Sequence, residues 1–184
     1  QNIQEVVKVS DNNMYREKLK YGKIMKNKMI ETILASIGEK FPKEKEHLHH
    51  VAMIAKSIGE AMGMSKEAQE RLFTAGKLHD IGKINVPKEI LLKAGPLSYE
   101  EYEVVKKHAE TSYQIIKSVE EYGYLAEDVL YHHERFDGKG YPEGLKGDEI
   151  PLHSRILNIA DAYEAMTHER TYSRKKSLEE AAEE

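Results

Sequence analysis

The sequence predicts an all-α protein, and three observations carry that expectation. Apolar residues recur at spacings of three and four through most of the chain. No stretch alternates long enough to make a strand. Capping residues, with Gly and Pro as punctuation, divide the chain into helix-length pieces. Strand propensity is confined to Gln1–Val9, through Ile3, Val6, Val7 and Val9. A helix is expected from Asp11 to Tyr21, with Ser10 or Asp11 as its N-cap. A second is expected from Lys23 to Ile37, ended by Gly38 and followed by Pro42. Glu44–Met62 reads as a strongly amphipathic helix with His47, His50, Val51, Ile54, Ile58 and Met62 on one face and Gly63 at its end. Ser65 caps the next helix, which runs toward Leu78. Asp80–Pro87 reads as a turn, and Gly95-Pro96 breaks the chain again. Ser98 and Glu101 form a capping box that opens a helix to about Val119. Glu127–His133 is a short helix. Phe136–Ile150 holds four of the twelve glycines and reads as a shaped loop. Leu152–His168 is helical, and Ser177 with Glu180 opens a last helix.

Composition narrows the function. The chain has 184 residues and a mean hydropathy of -0.66, a soluble globular balance with room for one domain and a fragment of another. No run approaches the ~20 apolar residues that span a bilayer, and no segment is built like a signal peptide. Cysteine is absent, which removes disulfides, thiolate metal sites and cysteine nucleophiles together, and fits a reducing cytoplasm. A net charge of -4 argues against a nucleic-acid polymer as partner, while a small anionic ligand needs only a local cationic pocket. There are nine His, and only six of the 32 acidic residues are Asp, so each Asp needs a positional explanation.

Those residues fall into a pattern. His79-Asp80 ends an apolar helix. His47 lies on the apolar face of its helix, and His108 shares a face with Val104, Val105, Thr111, Ser112 and Ile115. His132-His133 is an adjacent pair. Asp161 sits inside the apolar run Ile156–Met166, where an unpaired carboxylate is costly. Taken singly, each has a plain explanation: an inward His is more often a hydrogen-bonded core residue than a ligand, and Asp161 has Arg155 as a candidate partner. Taken together, they would each need a separate partner, whereas one shared metal cluster satisfies all of them. The cluster is all nitrogen and oxygen, which suits Fe, Mn, Co, Ni or Zn. Two ions bridged by a carboxylate activate water near neutral pH and clamp both oxygens of an in-line displacement at phosphorus, so phosphoester hydrolysis is the expected chemistry. Lys83 could hold a phosphate oxygen or assist the leaving group; the alternative is a solvated Lys in a turn. His49 is expected in solvent, His50 stands at the edge of the apolar face with either reading open, and His153 and His168 lie near helix ends where a surface role suffices.

Leu78-His79-Asp80-Ile81-Gly82-Lys83, followed by the eleven contiguous residues His132 to Pro142 (HHERFDGKGYP), closely resembles the HD-GYP family. Gly147-Asp148-Glu149-Ile150-Pro151 and Ile159 to Thr167 are similar to its later blocks. The resemblance covers residue 43 to the end and implies a helical bundle of the HD phosphohydrolase type with a metal centre in its core. It also implies a metal-dependent phosphodiesterase that opens cyclic di-GMP to linear pGpG and on toward GMP. By position, His47, His79, Asp80 and Asp161 would hold one divalent ion, Fe or Mn. Asp80 would bridge to a second ion held by His108, His132 and His133. Lys83 would contact the scissile phosphate, Gly140-Tyr141-Pro142 would shape the substrate-side loop, and Arg170 would approach a phosphate or guanine.

Several positions depart from the family. Some members hold a third metal through a Glu one turn before the first His. Lys43 stands there, with Glu44 and Glu46 off the register, so two ions are expected. An Arg-Pro-Tyr-Arg-like element reads Arg170-Thr171-Tyr172-Ser173-Arg174, which loses a cation or moves its contact to Arg174. Phe136 replaces the usual Trp, and the family domain normally continues with more helix beyond Glu184. Ser10–Lys18 resembles the closing helix of GGDEF domains. On that reading residues 1–22 are a GGDEF remnant, 23–42 a linker helix that pairs with its copy in a homodimer, and 43–184 the HD-GYP domain. Two alternatives stay open: a phosphodiesterase for another cyclic dinucleotide, and a catalytically weak module that only binds such a ligand.

Overall fold

A computed structural model of the chain describes residue 25, residues 28–168 and residues 177, 180 and 181. The expectations for residues 1–22 and for Arg170 and Arg174 lie outside the described residues. Those described form α1 (residues 28–40), α2 (Pro42–Ala61), α3 (Lys66–Leu78), α4 (Lys88–Leu91), α5 (Tyr99–Lys117), α6 (Ala126–Leu130) and α7 (Leu152–Thr167). Among them no strand forms, only an isolated antiparallel bridge between Asp137 and Lys146 that closes the Phe136–Ile150 loop. The all-α expectation holds. No helix of the described residues is long and apolar enough to cross a membrane.

Capping chemistry places several helix starts. Ser65 Oγ accepts from Ala68 N at 3.2 Å, and Ser98 and Glu101 close a reciprocal capping box. Ser177 and Glu180 make the same pair of bonds, at 2.7 and 3.1 Å. Gly38 does not end α1. The break falls at Phe41 (φ -137°, ψ 77°), because Pro42 drives the residue before it out of the α region. Asp80–Pro87 is not an open turn but contains a 3-10 helix, Ile81–Asn85.

The core joins Val51 and Ala55 of α2, Leu72, Ala75 and Leu78 of α3, Ile81, Ile116 of α5, Val129 of α6, and Ile156, Leu157 and Ala160 of α7. Ile30 and Ile37 of α1 are buried in the same cluster. Each fully buried Ile or Leu contributes ~1.5–3 kcal/mol. The buried face of α2 runs through His47, Leu48, Val51, Ala52, Ala55 and Gly59, and Met62, expected on it, is 53 % exposed. The face is turned because small residues allow close approach: a Cβ on Gly76 would lie 2.6 Å from Ala52 Cα, so α2 and α3 pack nearly backbone to backbone there. The same device brings the 3-10 helix against α5. A Cβ on Gly82 would lie 2.1 Å from the His108 carbonyl oxygen, and Gly82 N donates to Ser112 Oγ at 2.8 Å. That contact sets Asp80 beside His108.

Candidate metal centre

His79 follows the last residue of α3, and Asp80 leads into the 3-10 helix; both are buried. Asp80 is the hub. Its Oδ1 lies 3.1 Å from His108 Nε2. Its Oδ2 lies 3.2 Å from His79 Nε2, 3.6 Å from His47 Nε2 and 2.5 Å from Lys83 Nζ. Asp161 Oδ1 approaches His47 Nε2 at 3.3 Å. His132 and His133 lie just beyond α6 rather than inside it. The His132 ring centroid is 5.1 Å from that of His79, and His133 Nε2 is 3.2 Å from His108 Nε2. All seven expected ligand positions therefore converge. Arg155, the alternative partner for Asp161, binds Asp148 at 2.7 Å instead.

The outward nitrogens settle the tautomers. His79 Nδ1 faces the Gly76 carbonyl at 2.7 Å, His108 Nδ1 the Val105 carbonyl at 2.6 Å, and His132 Nδ1 the Val129 carbonyl at 2.5 Å. A carbonyl oxygen only accepts, so each Nδ1 carries the proton and donates it, leaving an Nε2 lone pair aimed into the cluster. His47 Nδ1 is held the same way by the Glu164 carboxylate at 2.5 Å. This is the outer-shell arrangement that orients imidazoles as metal ligands.

Charge divides the cluster. Burial, with the neighbouring imidazoles, holds His132 well below its ordinary pKa, and burial beside His108 brings His133 down to about 4. Burial also disfavours the charged form of His47, but its bonds to Asp80 and Glu164 outweigh that and raise it to about 9. Burial would raise Asp80, yet Lys83 and the surrounding imidazoles hold it well below the usual carboxylate range.

These residues fit divalent ions. Among the described residues, His79 Nε2 and His132 Nε2 are buried and make no hydrogen bond, and the Nε2 atoms of His108 and His133 face each other. Buried nitrogens are seldom left so. Within ligand reach of one another stand two sets sharing Asp80: His47, His79 and Asp80, and Asp80, His108, His132 and His133.

Lys83 points into the cluster from the 3-10 helix, bonded to Asp80 and Glu44; burial opposes its charge, but the two carboxylates raise its pKa. A cavity of about 600 Å³ opens beside it, lined by Lys43, Glu44, His47, His50 and Glu164 among others. Gly140 packs on the backbone of Glu134, 2.5 Å from an added Cβ to Glu134 Cα, which lays Tyr141 over His133 with ring centroids 4.8 Å apart. Pro142 follows in the same loop. Three contributors were not singled out from the sequence. Glu164 steadies His47. Glu44, noted only as off register, holds Lys83. Glu134 accepts from Glu143 N and Gly144 N at 2.7 and 3.0 Å, bracing the glycine-rich loop. Glu164 had a readable signal, since it lies one helical turn after Asp161 on the same face.

An all-helical bundle that gathers histidines and aspartates about a shared Asp is a protein able to hold divalent metal in its core. A family model described as HD domain matches residues 28–184, and the chain belongs to that family. It is 43% identical over 139 residues to a cyclic di-GMP phosphodiesterase of Thermotoga maritima, covering 73% of this chain and 37% of the relative. It is 39% identical over 135 residues to the 3'3'-cGAMP-specific phosphodiesterase 1 of Vibrio cholerae, covering 73% and 31%. The chain thus spans about a third of the length of these relatives. The crystal structure of the HD domain of the Listeria monocytogenes phosphodiesterase PgpH in complex with cyclic-di-AMP superposes with a TM-score of 0.59 at 19% identity, covering 83% of this chain and 78% of that one. It bears on the fold.

Proposed function

We propose that the chain is the catalytic part of a metal-dependent phosphodiesterase that hydrolyses cyclic di-GMP to pGpG and on toward GMP. The observation that carries this is the ring of imidazoles with outer nitrogens bound to acceptors and inner nitrogens turned on Asp80. Relatives at 43% and 39% identity, themselves named phosphodiesterases of cyclic dinucleotides, support it.

In this reading His47, His79, Asp80 and Asp161 hold one ion, and Asp80, His108, His132 and His133 a second, Fe or Mn in each case. When bound, the pair supplies positive charge to the reacting phosphate and a nucleophile from water. The protein does the rest. Neutral His132 and His133 need give up no proton to bind. Lys83, its pKa raised, stays an ammonium and holds a non-bridging phosphate oxygen as a fixed cation; a group that keeps its proton so firmly is a poor acid. The loop at Gly140, Tyr141 and Pro142 borders the substrate, and Arg170 and Arg174 reach its phosphate or guanine. Residues 23–42 link the domain at 43–184 to a GGDEF-like remnant at 1–22 and pair in a homodimer, and the compartment is the cytoplasm.

Metal-loaded protein incubated with cyclic di-GMP, 3'3'-cGAMP and cyclic di-AMP, with products separated by chromatography, tests the reading. Turnover of cyclic di-GMP, abolished in Asp80→Ala, is expected. Preference for another cyclic dinucleotide establishes the alternative that the Vibrio relative favours. Tight binding without turnover under several metals defeats the enzyme and leaves a sensor.

A further inference from the structure

Three ligand-type side chains outside the cluster meet on the wall of the same cavity. His50 stands on α2 one turn beyond His47, and His168 follows the last residue of α7. Their rings stack, with centroids 4.4 Å and planes 25° apart. Glu164 Oε1 lies 3.7 Å from Nδ1 of each, and one donor atom from each of the three residues lies within 4.8 Å of the others. Two donors on one tetrahedral ion, each ~2.0–2.1 Å from it, lie ~3.4 Å apart, so 3.7 Å is too long for hydrogen bonds and close to the spacing an ion imposes. His50 Nδ1 is sealed from solvent yet makes no hydrogen bond among the described residues. His168 Nδ1 makes long 3.3 Å contacts to the Glu164 carbonyl and Thr167 Oγ1, which a metal bond would replace.

We propose that His50, Glu164 and His168 form an outer site for a divalent transition-metal ion, distinct from the cluster around Asp80. Two imidazoles and a carboxylate suit Zn, Co, Mn or Fe. The site does not use position 43, where Lys43 stands; His50 lies seven residues further along α2, roughly 10 Å. Its half-exposed rings (side chains 40% and 45%) leave the ion reachable from solvent. Its place gives it a use. Glu164 presents Oε2 to His47 and Oε1 to the outer pair, so a cation there draws on the carboxylate that orients an inner ligand. Outer occupancy thereby tunes inner metal binding.

The test is metal content. Apo protein is loaded with Co²⁺, freed of excess, and read by elemental analysis and by its visible ligand-field absorption. Wild type is expected to hold one ion more than His50→Ala/His168→Ala, with one component of the spectrum missing from the variant. His50→Gln/His168→Gln serves where the alanines lower the helical circular dichroism. His79→Ala/Asp80→Ala separates the two centres. It is expected to lose the inner ions and keep one, which disappears when the outer substitutions are added. Equal ion content and identical spectra in wild type and the outer variants overturn the outer site, whatever the inner variant does.

Discussion

The two halves of the centre are held by different means. His79, His108 and His132 are steadied by backbone carbonyls three residues earlier in the chain. His47 is steadied by a side chain, Glu164, from another helix, and sits among Asp80, Asp161 and Glu164. Burial among imidazoles lowers the pKa of His132 and His133, whereas the carboxylates outweigh burial and raise that of His47 and, despite its backbone acceptor, of His79. A carbonyl survives substitution of its own residue, whereas a carboxylate is removed by one. The first half is therefore robust to point mutation and the second is open to adjustment, by mutation or by whatever else binds Glu164.

Four predictions press on that contrast. Asp80 joins both halves, so Asp80→Ala is expected to cut turnover of cyclic di-GMP at least about a thousandfold, ~4 kcal/mol, and to empty both metal positions, as elemental analysis would show. Residual activity within tenfold of wild type would break the idea of a shared hub. Damage to the backbone-held half requires moving backbone. Gly82→Ala drives a methyl into the His108 carbonyl and is expected to cost ~3 kcal/mol, read from the urea midpoint; an unchanged midpoint would show that the 3-10 helix is free to shift.

The sharpest comparison is Glu164→Ala against Val129→Ala. The first is expected to lower metal affinity or activity about 10–100-fold. The second leaves the carbonyl bound to His132, so activity at saturating metal should hold within ~3-fold while stability drops by roughly 2 kcal/mol. Equal losses would erase the distinction. The smallest effect is at Glu44. Glu44→Gln removes one of two carboxylates holding Lys83, a partly exposed pair, and is expected to cost turnover about threefold. No change would mean Asp80 alone holds the ammonium.

Much of this is legible in the residue pattern alone. Ser65, Ser98 with Glu101 and Ser177 with Glu180 announced helix starts, because a cap and its target lie within one turn of sequence. His79-Asp80 and His132-His133 counted only together with His47, His108 and Asp161: so many inward imidazoles and carboxylates are costly unpaired, which made them candidates to share a metal. Less legible was the end of α1, where Gly38 looked decisive but the steric rule at Pro42 governed the break.

Residue types and their local spacing were enough to specify an all-helical chain and the side chains that could bind metal, since capping, periodicity and ligand chemistry act within a few residues. Which atoms meet was decided only by the packing of helices. His47 and Glu164 are 117 residues apart, and no local pattern reports such a pair. The close approaches at Gly76 and Gly82, where a single Cβ would push the backbones apart, bring the separate helices near enough for their histidines to share one carboxylate.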